Sequence, residues 1–440
     1  MKSKQITTVG FMLFAMFFGA GNLIFPLALG YQSGGNFLWS IIGFVVTGVG
    51  LPLLGMFVGA ITGQGYRQSI NEIHPIFSLV FLSAIYLTIG PFFAIPRTGT
   101  TAYEIGVVPF LSQADGLSLF LFSAFFFGVT YFVAVKPSKL STMIGDYLTP
   151  TMLISIVLLV IRSVMLYWNH QSPAINLPQY EKAPLATGFI EGYLTMDTLA
   201  SLAFSMIVIK AIRDYQIEGE RNIRRATFFA SLIAASLLAL IYAALAWIGN
   251  HSLIDISQLG GQNLGAFLLV RVAKEGFGSF GVVLISIMVF LACLTTSSGL
   301  IAAVSDYFYS IYPRISYKHY AIGFTLISFV IANQGLDQVI QTSVPILSIL
   351  YPISISIIVL LLLQTFIHFD RRTLLIPILM VSVISIISVL HRNHFIQSQF
   401  LLKLPFVSSQ LEWISFLLIG IVISGLVTVV QNGSQAITEK

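Results

Sequence analysis

The sequence predicts an all-α, multi-pass membrane protein with about twelve transmembrane helices, and three observations support this. Of the 440 residues, 56% are hydrophobic and 9% are charged, and the mean hydropathy is +0.90. Water-soluble domains contain far more charge. Most apolar stretches reach about 18 residues, enough to cross roughly 30 Å of hydrocarbon. Residues 19–22, Gly-Ala-Gly-Asn, interrupt the first stretch near its centre.

The apolar stretches define the predicted spans and the domain organisation. We expect one domain, 1–440, in which spans 7–167 and 187–363 can form two five-helix groups of inverted topology, followed by helices in 372–432. The first span is too long for a signal peptide and lacks a small-residue cleavage pattern. The predicted spans are 7–30, 36–61, 76–103, 115–134, 139–167, 187–212, 222–248, 280–306, 317–332, 336–363, 372–390 and 412–432.

The positive charges follow the membrane topology. Of the 22 Lys and Arg residues, 15 fall in segments on the same side of the membrane as the N-terminus. This excess places both termini in the cytoplasm. The net charge of +5 therefore does not indicate nucleic-acid binding. The basic segment 210–225 can contact anionic lipid headgroups, although topology alone explains its charge. The residues on the opposite side are Lys182, Arg271, Lys274, Arg392 and Lys403.

The interruption in the first span is a candidate binding site. Gly19 and Gly21 weaken the helix by about 1 kcal/mol each, and Pro26 follows. Unwound backbone within a membrane must be buried in protein or line a watery cavity. A half-helix starting near Asn22 offers N–H groups to a carboxylate, whereas the preceding half offers carbonyls to a cation. The alternative is close helix packing, but glycines two residues apart fit that motif poorly.

The eighth span contains a cluster of hydroxyl side chains. Ala292, Thr295 and Thr296 fall on one helical face. Their neutral oxygens can hold Na⁺ without a buried carboxylate. The alternative is that each hydroxyl bonds to a carbonyl one turn back. The single cysteine, Cys293, lies in the same span and excludes an internal disulfide.

The sixth span is the expected counterpart of the first, but its break is less clearly marked. It has Gly192 and no proline, and the polar residues considered at its break are Asp197, Thr198 and Ser201. Asp197 has three interpretations that the sequence does not separate. It binds a cation or proton, it pairs with Arg97, or it caps a half-helix.

Arg97 lies within the third span, after Gly90-Pro91 and Pro96. A charge inside the membrane is costly and usually functional, here in gating or charge pairing. The alternative is that its side chain extends to the nearby membrane surface.

No catalytic constellation accompanies these features. The sequence has no zinc-protease pair, nucleotide-binding glycine loop or G-x-S-x-G motif. His391 and His394 have the spacing of metal ligands but lack a third ligand. We therefore expect neither an enzyme nor a cofactor.

Two motifs carry a family resemblance. Residues 10–26, GFMLFAMFFGAGNLIFP, together with Gly90-Pro91 and Ala94-Ile-Pro-Arg-Thr98, resemble the bacterial branched-chain amino acid:cation symporters (the LIVCS, or BrnQ-like, family). That family is similar to the amino acid–polyamine–organocation superfamily, whose fold is LeuT-like. The resemblance covers essentially the whole chain and implies that helices 1 and 6 are unwound around the substrate.

The resemblance also implies particular ligands. A Na⁺ ion between the first and eighth helices would take the carbonyls of Ala15, Phe18 and Ala292 and the hydroxyls of Thr295 and Thr296. The substrate carboxylate would meet the N–H groups of Ala20 and Gly21, and its ammonium would meet carbonyls near residues 197–201. Asn22 would support a second cation, and Phe204 would line the apolar pocket.

The resemblance, together with the interrupted helices, implies a symporter that imports leucine, isoleucine and valine into bacteria with Na⁺ or H⁺. Its partners are the substrate and membrane lipid. Two alternatives are a transporter of another amino acid or nucleobase-like solute on the same fold, and a channel or receptor-like protein.

Overall fold

The computed structural model describes residues 3–19, 21–62, 65–135, 149–170, 177–217, 219–254, 259–367 and 369–438. Within these ranges the regular structure is entirely helical. The α-helices are α1 Ser3–Phe17, α2 Gly21–Ser33, α3 Phe37–Val45, α4 Leu51–Ile61, α5 Gly65–Ile73, α6 Pro75–Leu87, α7 Ala94–Gly106, α8 Gly116–Ala134, α9 Thr149–Tyr167, α10 Pro178–Lys182, α11 Pro184–Glu191, α12 Asp197–Asp214, α13 Glu220–His251, α14 Leu264–Ile311, α15 Tyr317–Ala332, α16 Leu336–Leu363, α17 Leu375–Arg392, α18 Gln399–Leu402 and α19 Trp413–Thr438.

The helices agree with most of the predicted spans, and residues 139–148 of the predicted span 139–167 lie outside the described residues. In the described ranges, nine helices are long and apolar enough to cross a membrane, or ten when the bent pair Pro184–Thr195 and Asp197–Asp214 is one span. The continuous stretch Gly21–Ile61 accounts for parts of two predicted spans, because a 3₁₀ turn joins α2 to α3. A multi-span helical membrane protein is therefore confirmed, whereas the count of twelve stays a prediction.

Two boundaries differ from the prediction. The eighth span is continuous with a helical segment in the preceding loop, so α14 runs over 48 residues, with a non-helical Gly278 (φ 62°) between its two parts. The third span is interrupted by a π-helical turn, Thr88–Phe92, in which Gly90 is non-helical. Pro91 cannot donate the backbone hydrogen bond that a straight helix requires there.

The chain forms two compact units. The first comprises residues 1–50, 85–197 and 229–343, and the second comprises 51–84, 198–228 and 344–440. In the first unit, α2 and α13 approach closely through glycines on both helices. A Cβ on Gly30 would collide with the Ala246 carbonyl, and one on Gly249 would collide with the Leu27 carbonyl. Small residues allow such contact between membrane helices, and this packing holds α2 in place.

The second unit contains α4, α5, α17, α18, α19 and most of α6, α12 and α16. Its helices α17 and α19 pack at Gly420, where a Cβ would lie 2.5 Å from the Pro377 Cα. The Tyr66 hydroxyl of α5 donates to the Gly55 carbonyl of α4 over 2.7 Å. The guanidinium of Arg371 forms an ion pair with Glu72. These contacts connect α5 to its own unit.

Candidate functional site

The first broken helix lies where the sequence predicts it. Helix α1 ends at Phe17, α2 begins at Gly21, and Phe18 and Gly19 are not helical. The Gly19 N–H donates to Asn22 Oδ1 over 3.4 Å, and the Asn22 N–H donates to the Gly19 carbonyl over 3.2 Å. Asn22 thus satisfies backbone groups that the break releases. Ala20, a predicted carboxylate ligand, lies outside the described residues.

The second broken helix is in the sixth span. A 3₁₀ turn, Gly192–Thr195, leads to Met196, whose φ of 63° is left-handed, and α12 begins at the next residue. The Thr195 hydroxyl donates to the Gly192 carbonyl over 2.9 Å and accepts the Asp197 N–H over 3.4 Å. A residue with left-handed backbone angles ends the preceding turn, because its carbonyl no longer points along the helix axis. Sequence reasoning did not predict the left-handed conformation of Met196.

Polar side chains connect the two breaks within the first unit. The Asn22 amide donates to Asp197 Oδ2 over 2.8 Å, and the Tyr242 hydroxyl donates to the same oxygen over 3.0 Å. The Asn22 amide also bonds to the Tyr242 hydroxyl. Asn22 and Asp197 are 2% and 3% exposed. Hydrogen bonding is what makes such a buried carboxylate tolerable.

Tyr242 is a member of this network that sequence reasoning missed. It lies on α13, is fully buried, and packs edge-on against Phe44 with ring centroids 5.4 Å apart. A Cβ on Gly48 would lie 3.4 Å from the Tyr242 ring and 3.5 Å from Thr195 Cγ2. Gly48 therefore leaves room for the tyrosine to reach the breaks.

Arg97 also reaches both breaks. Its Nη1 donates to the Leu194 carbonyl over 2.5 Å, and its Cζ lies 5.1 Å from the centroid of the Phe25 ring. A Cβ on Gly21 would lie 2.9 Å from Arg97 Nη2. The side chain is only 5% exposed. The alternative that Arg97 extends to the membrane surface is therefore wrong, because its guanidinium is held in the interior of the unit.

The hydroxyl cluster of α14 meets the first break at Thr296. A Cβ on Gly19 would lie 3.7 Å from Thr296 Oγ1 and 3.8 Å from Asn22 Oδ1. Thr296 Oγ1 is buried and has no hydrogen-bond partner among the described residues. Thr295 Oγ1 instead donates to the Ala292 carbonyl over 2.9 Å. This agrees with the alternative in which each hydroxyl bonds to a carbonyl one turn back.

The carbonyl ligands predicted on the first helix lie just before its break. Phe18 is buried and non-helical, and Ala15 is half-buried in the last turn of α1. Because the Gly19 N–H turns to Asn22, it does not continue the helical pattern toward the Ala15 carbonyl. The break lies beside the face of α14 that carries Thr296.

Three predicted substrate residues lie in the second unit. Thr198 and Ser201 are fully buried in α12, and Phe204 is 6% exposed. The Ser201 hydroxyl donates to the Thr198 carbonyl over 2.7 Å. A Cβ on Gly55 of α4 would lie 3.1 Å from the Ser201 Cβ. These residues follow the second break directly in sequence.

Similarity to known proteins identifies the family of this chain. The sequence matches the family described as "Branched-chain amino acid transport protein" over residues 2–431. The chain belongs to this family. The resemblance of its two motifs is thereby confirmed, and the chain is a membrane transporter and not an enzyme.

Relatives in the branched-chain amino acid transport family match over nearly their full length. A protein of Staphylococcus saprophyticus named as a branched-chain amino acid carrier is 45% identical, with 97% of this chain and 96% of the relative covered. A carrier of Staphylococcus haemolyticus is 45% identical over 100% of both chains.

Solved structures share the fold of this family member. A nucleobase-cation-symport-1 transporter, Mhp1, closed with bromovinylhydantoin bound, has a TM-score of 0.61 and 14% identity, covering 95% of this chain and 91% of its own. MhsT in complex with L-phenylalanine has a TM-score of 0.55 and 16% identity, covering 94% and 98%. At such identities the likeness shows the fold alone, which is LeuT-like.

Proposed function

We propose that this chain is a secondary active symporter that imports leucine, isoleucine and valine by alternating access, driven by a cation gradient. The observation that carries the proposal is the hydrogen bond between Asn22 and Asp197, which joins the two helix breaks in a member of a branched-chain amino acid transport family. Breaks near mid-membrane provide unsatisfied backbone groups for a polar substrate.

The substrate site takes its ligands from both breaks. The N–H groups of Ala20 and Gly21 meet the carboxylate, and carbonyls following Asp197, in the segment with Thr198 and Ser201, meet the ammonium. The apolar side chain packs near Phe204. Asn22 stabilises the first break through its bond to the Gly19 N–H and contributes to the substrate site.

Na⁺ is our proposed coupling ion. Its ligands are the carbonyls of Ala15, Phe18 and Ala292 and the hydroxyls of Thr295 and Thr296. The buried, unpartnered Thr296 hydroxyl beside Gly19 supports this choice within the described residues. Cation binding there ties α1 to α14 and organises the first break for substrate. The alternative coupling ion is H⁺, which would bind to the carboxylate of Asp197.

The proposed location is the bacterial cytoplasmic membrane, with both termini inside. The asymmetric distribution of Lys and Arg supports this orientation. In this arrangement the two five-helix groups, 7–167 and 187–363, move relative to a central site, and helices in 372–432 flank them.

The test is uptake of labelled leucine into proteoliposomes containing the purified chain. A Na⁺ gradient alone and a pH gradient alone are imposed in separate experiments. Accumulation driven by Na⁺ is the expected result, and competition by isoleucine and valine but not by nucleobases defines the substrate class.

Two outcomes would change the proposal. Accumulation driven only by pH transfers the coupling role to Asp197 and leaves the α14 hydroxyls structural. No accumulation under either gradient, with protein that unfolds cooperatively and elutes as one species, contradicts symport itself.

A further inference from the structure

Two opposite charges are buried at the helix breaks. Arg97 is 5% exposed and Asp197 is 3% exposed, and both belong to the first unit. The carboxylate is held by Asn22 and Tyr242. The guanidinium donates to the Leu194 carbonyl, lies over the Phe25 ring and approaches Gly21.

The position of the guanidinium is fixed from three directions. The bond from Nη1 to Leu194 sets its orientation toward the second break. The Phe25 ring, whose centroid is 5.1 Å from Cζ, supports it by a cation–π contact. Nη2 lies against the backbone of Gly21, at the start of α2. Because only glycine leaves this space open, the first break is shaped around the guanidinium.

We propose that Arg97 binds the carboxylate of the substrate amino acid and thereby determines that the substrate must be an α-amino acid. This inference rests on the proposed function and goes beyond a role in gating or charge pairing. A free amino acid carries one anion and one cation, and the site presents one buried charge of each sign. The zwitterion therefore lies with its carboxylate toward Arg97 and its ammonium toward Asp197.

The chemistry of the guanidinium suits this role. Its planar N–H groups match the two oxygens of a carboxylate, and such charge-assisted pairs are among the stronger hydrogen bonds in proteins. A fixed protein cation at this point also means that the carboxylate needs no metal ion beside it.

The test compares two ligands that differ only at the carboxylate. Leucine and leucinamide are titrated against purified full-length protein in detergent with saturating Na⁺, at mildly acidic pH so that both amines are protonated. Ligand affinity is read from the rise in unfolding temperature, which does not require transport. The variants are Arg97→Gln and Arg97→Lys. Arg162→Gln is the matched control, since Arg162 is also intramembrane and donates to a carbonyl, that of Gly276 over 3.1 Å.

We expect the wild type and Arg162→Gln to prefer leucine over leucinamide by about tenfold or more. Arg97→Gln should lower the affinity for leucine and leave that for leucinamide nearly unchanged, so that the preference falls to about threefold or less. Arg97→Lys keeps the charge but not the planar pair of donors, so its preference should lie between the two.

The inference is overturned if Arg97→Gln weakens both ligands equally, because Arg97 then only ties the breaks together. If Arg97→Gln does not fold, an undiminished leucine preference in folded Arg97→Lys overturns it as well. A wild-type protein that leucine does not stabilise at all contradicts the proposed function instead, so the two failures are distinguishable.

Discussion

The side-chain amide of Asn22 donates to the carboxylate of Asp197 over 2.8 Å, across 175 residues of sequence. The two residues lie at the ends of the two helix breaks, and both are buried. Breaking this bond would leave a buried carboxylate with one fewer partner, which costs about 1–3 kcal/mol. This bond, together with the Tyr242 hydroxyl that contacts both residues, therefore couples the two breaks.

The Tyr242 hydroxyl should stabilise the network. Tyr242→Phe removes one donor to Asp197 without changing the ring, and we expect it to lower the free energy of unfolding by about 1–3 kcal/mol and to weaken leucine binding. Thermal unfolding in detergent, with and without leucine, measures both effects.

Tyr180→Phe is the matched control for Tyr242→Phe. Tyr180 is also fully buried, but its hydroxyl has no hydrogen-bond partner in the described part of the chain. Its removal should be neutral or stabilising, because an unsatisfied polar group is lost. Equal destabilisation by the two variants would contradict a specific role for Tyr242.

Thr296 should determine the apparent affinity for Na⁺. Thr296→Val keeps the shape of the side chain and removes the unpartnered oxygen beside Gly19. We expect the Na⁺ concentration for half-maximal leucine uptake to rise by about tenfold, equivalent to one lost ligand. Thr295→Val should act in the same direction. Uptake at graded Na⁺ in proteoliposomes gives both values.

Ser286→Ala provides the control on the same helix. Its hydroxyl bonds to the carbonyls of Val282 and Ile105, and ten residues of helix place it about 15 Å from Thr296. Its Na⁺ dependence should match the wild type. If Thr296→Val also retains wild-type Na⁺ dependence, Thr296 is not a ligand.

The features that the sequence predicts well are those encoded by local composition. Continuous apolar runs define the helices, and closely spaced glycines beside Asn22 mark the first break because they remove helix propensity at one point. Asp197 was recognised because a charge within an apolar helix is unusual. The confirmed family and fold agree with these local signals.

The features that sequence reasoning missed depend on the tertiary fold. Tyr242 is one of 17 tyrosines, and nothing in its own helix indicates that its hydroxyl meets Asp197. The Leu194 carbonyl that accepts from Arg97 is a backbone group, so residue identity carries no information about it. Met196 adopts a left-handed conformation without a glycine or asparagine to mark it. Packing imposes these arrangements, and a single sequence does not reveal them.

The left-handed Met196 should tolerate branching at Cγ but not at Cβ. Met196→Leu and Met196→Ile both keep an apolar side chain of similar size at this buried position. At a φ of 63°, a β-branched residue clashes with its own backbone. We expect Met196→Ile to lose about 1–2 kcal/mol more stability than Met196→Leu. Thermal unfolding of the two variants measures the difference, and equal midpoints would show that Met196 leaves this conformation at little cost.

The contact between α2 and α13 should tolerate no side chain at Gly30. A Cβ there would collide with the Ala246 carbonyl, and because backbone cannot rotate away as a side chain does, the helices must separate. We expect Gly30→Ala to cost about 1–3 kcal/mol of stability and to reduce leucine binding, since α2 carries Asn22. Gly128→Ala is the matched control, a substitution within helix α8 whose Cβ would meet nothing within 4 Å. It should stabilise the protein by up to about 1 kcal/mol through helix propensity. Both variants are compared by thermal unfolding, and a Gly30→Ala protein as stable as Gly128→Ala would mean that α2 can shift away from α13 without loss.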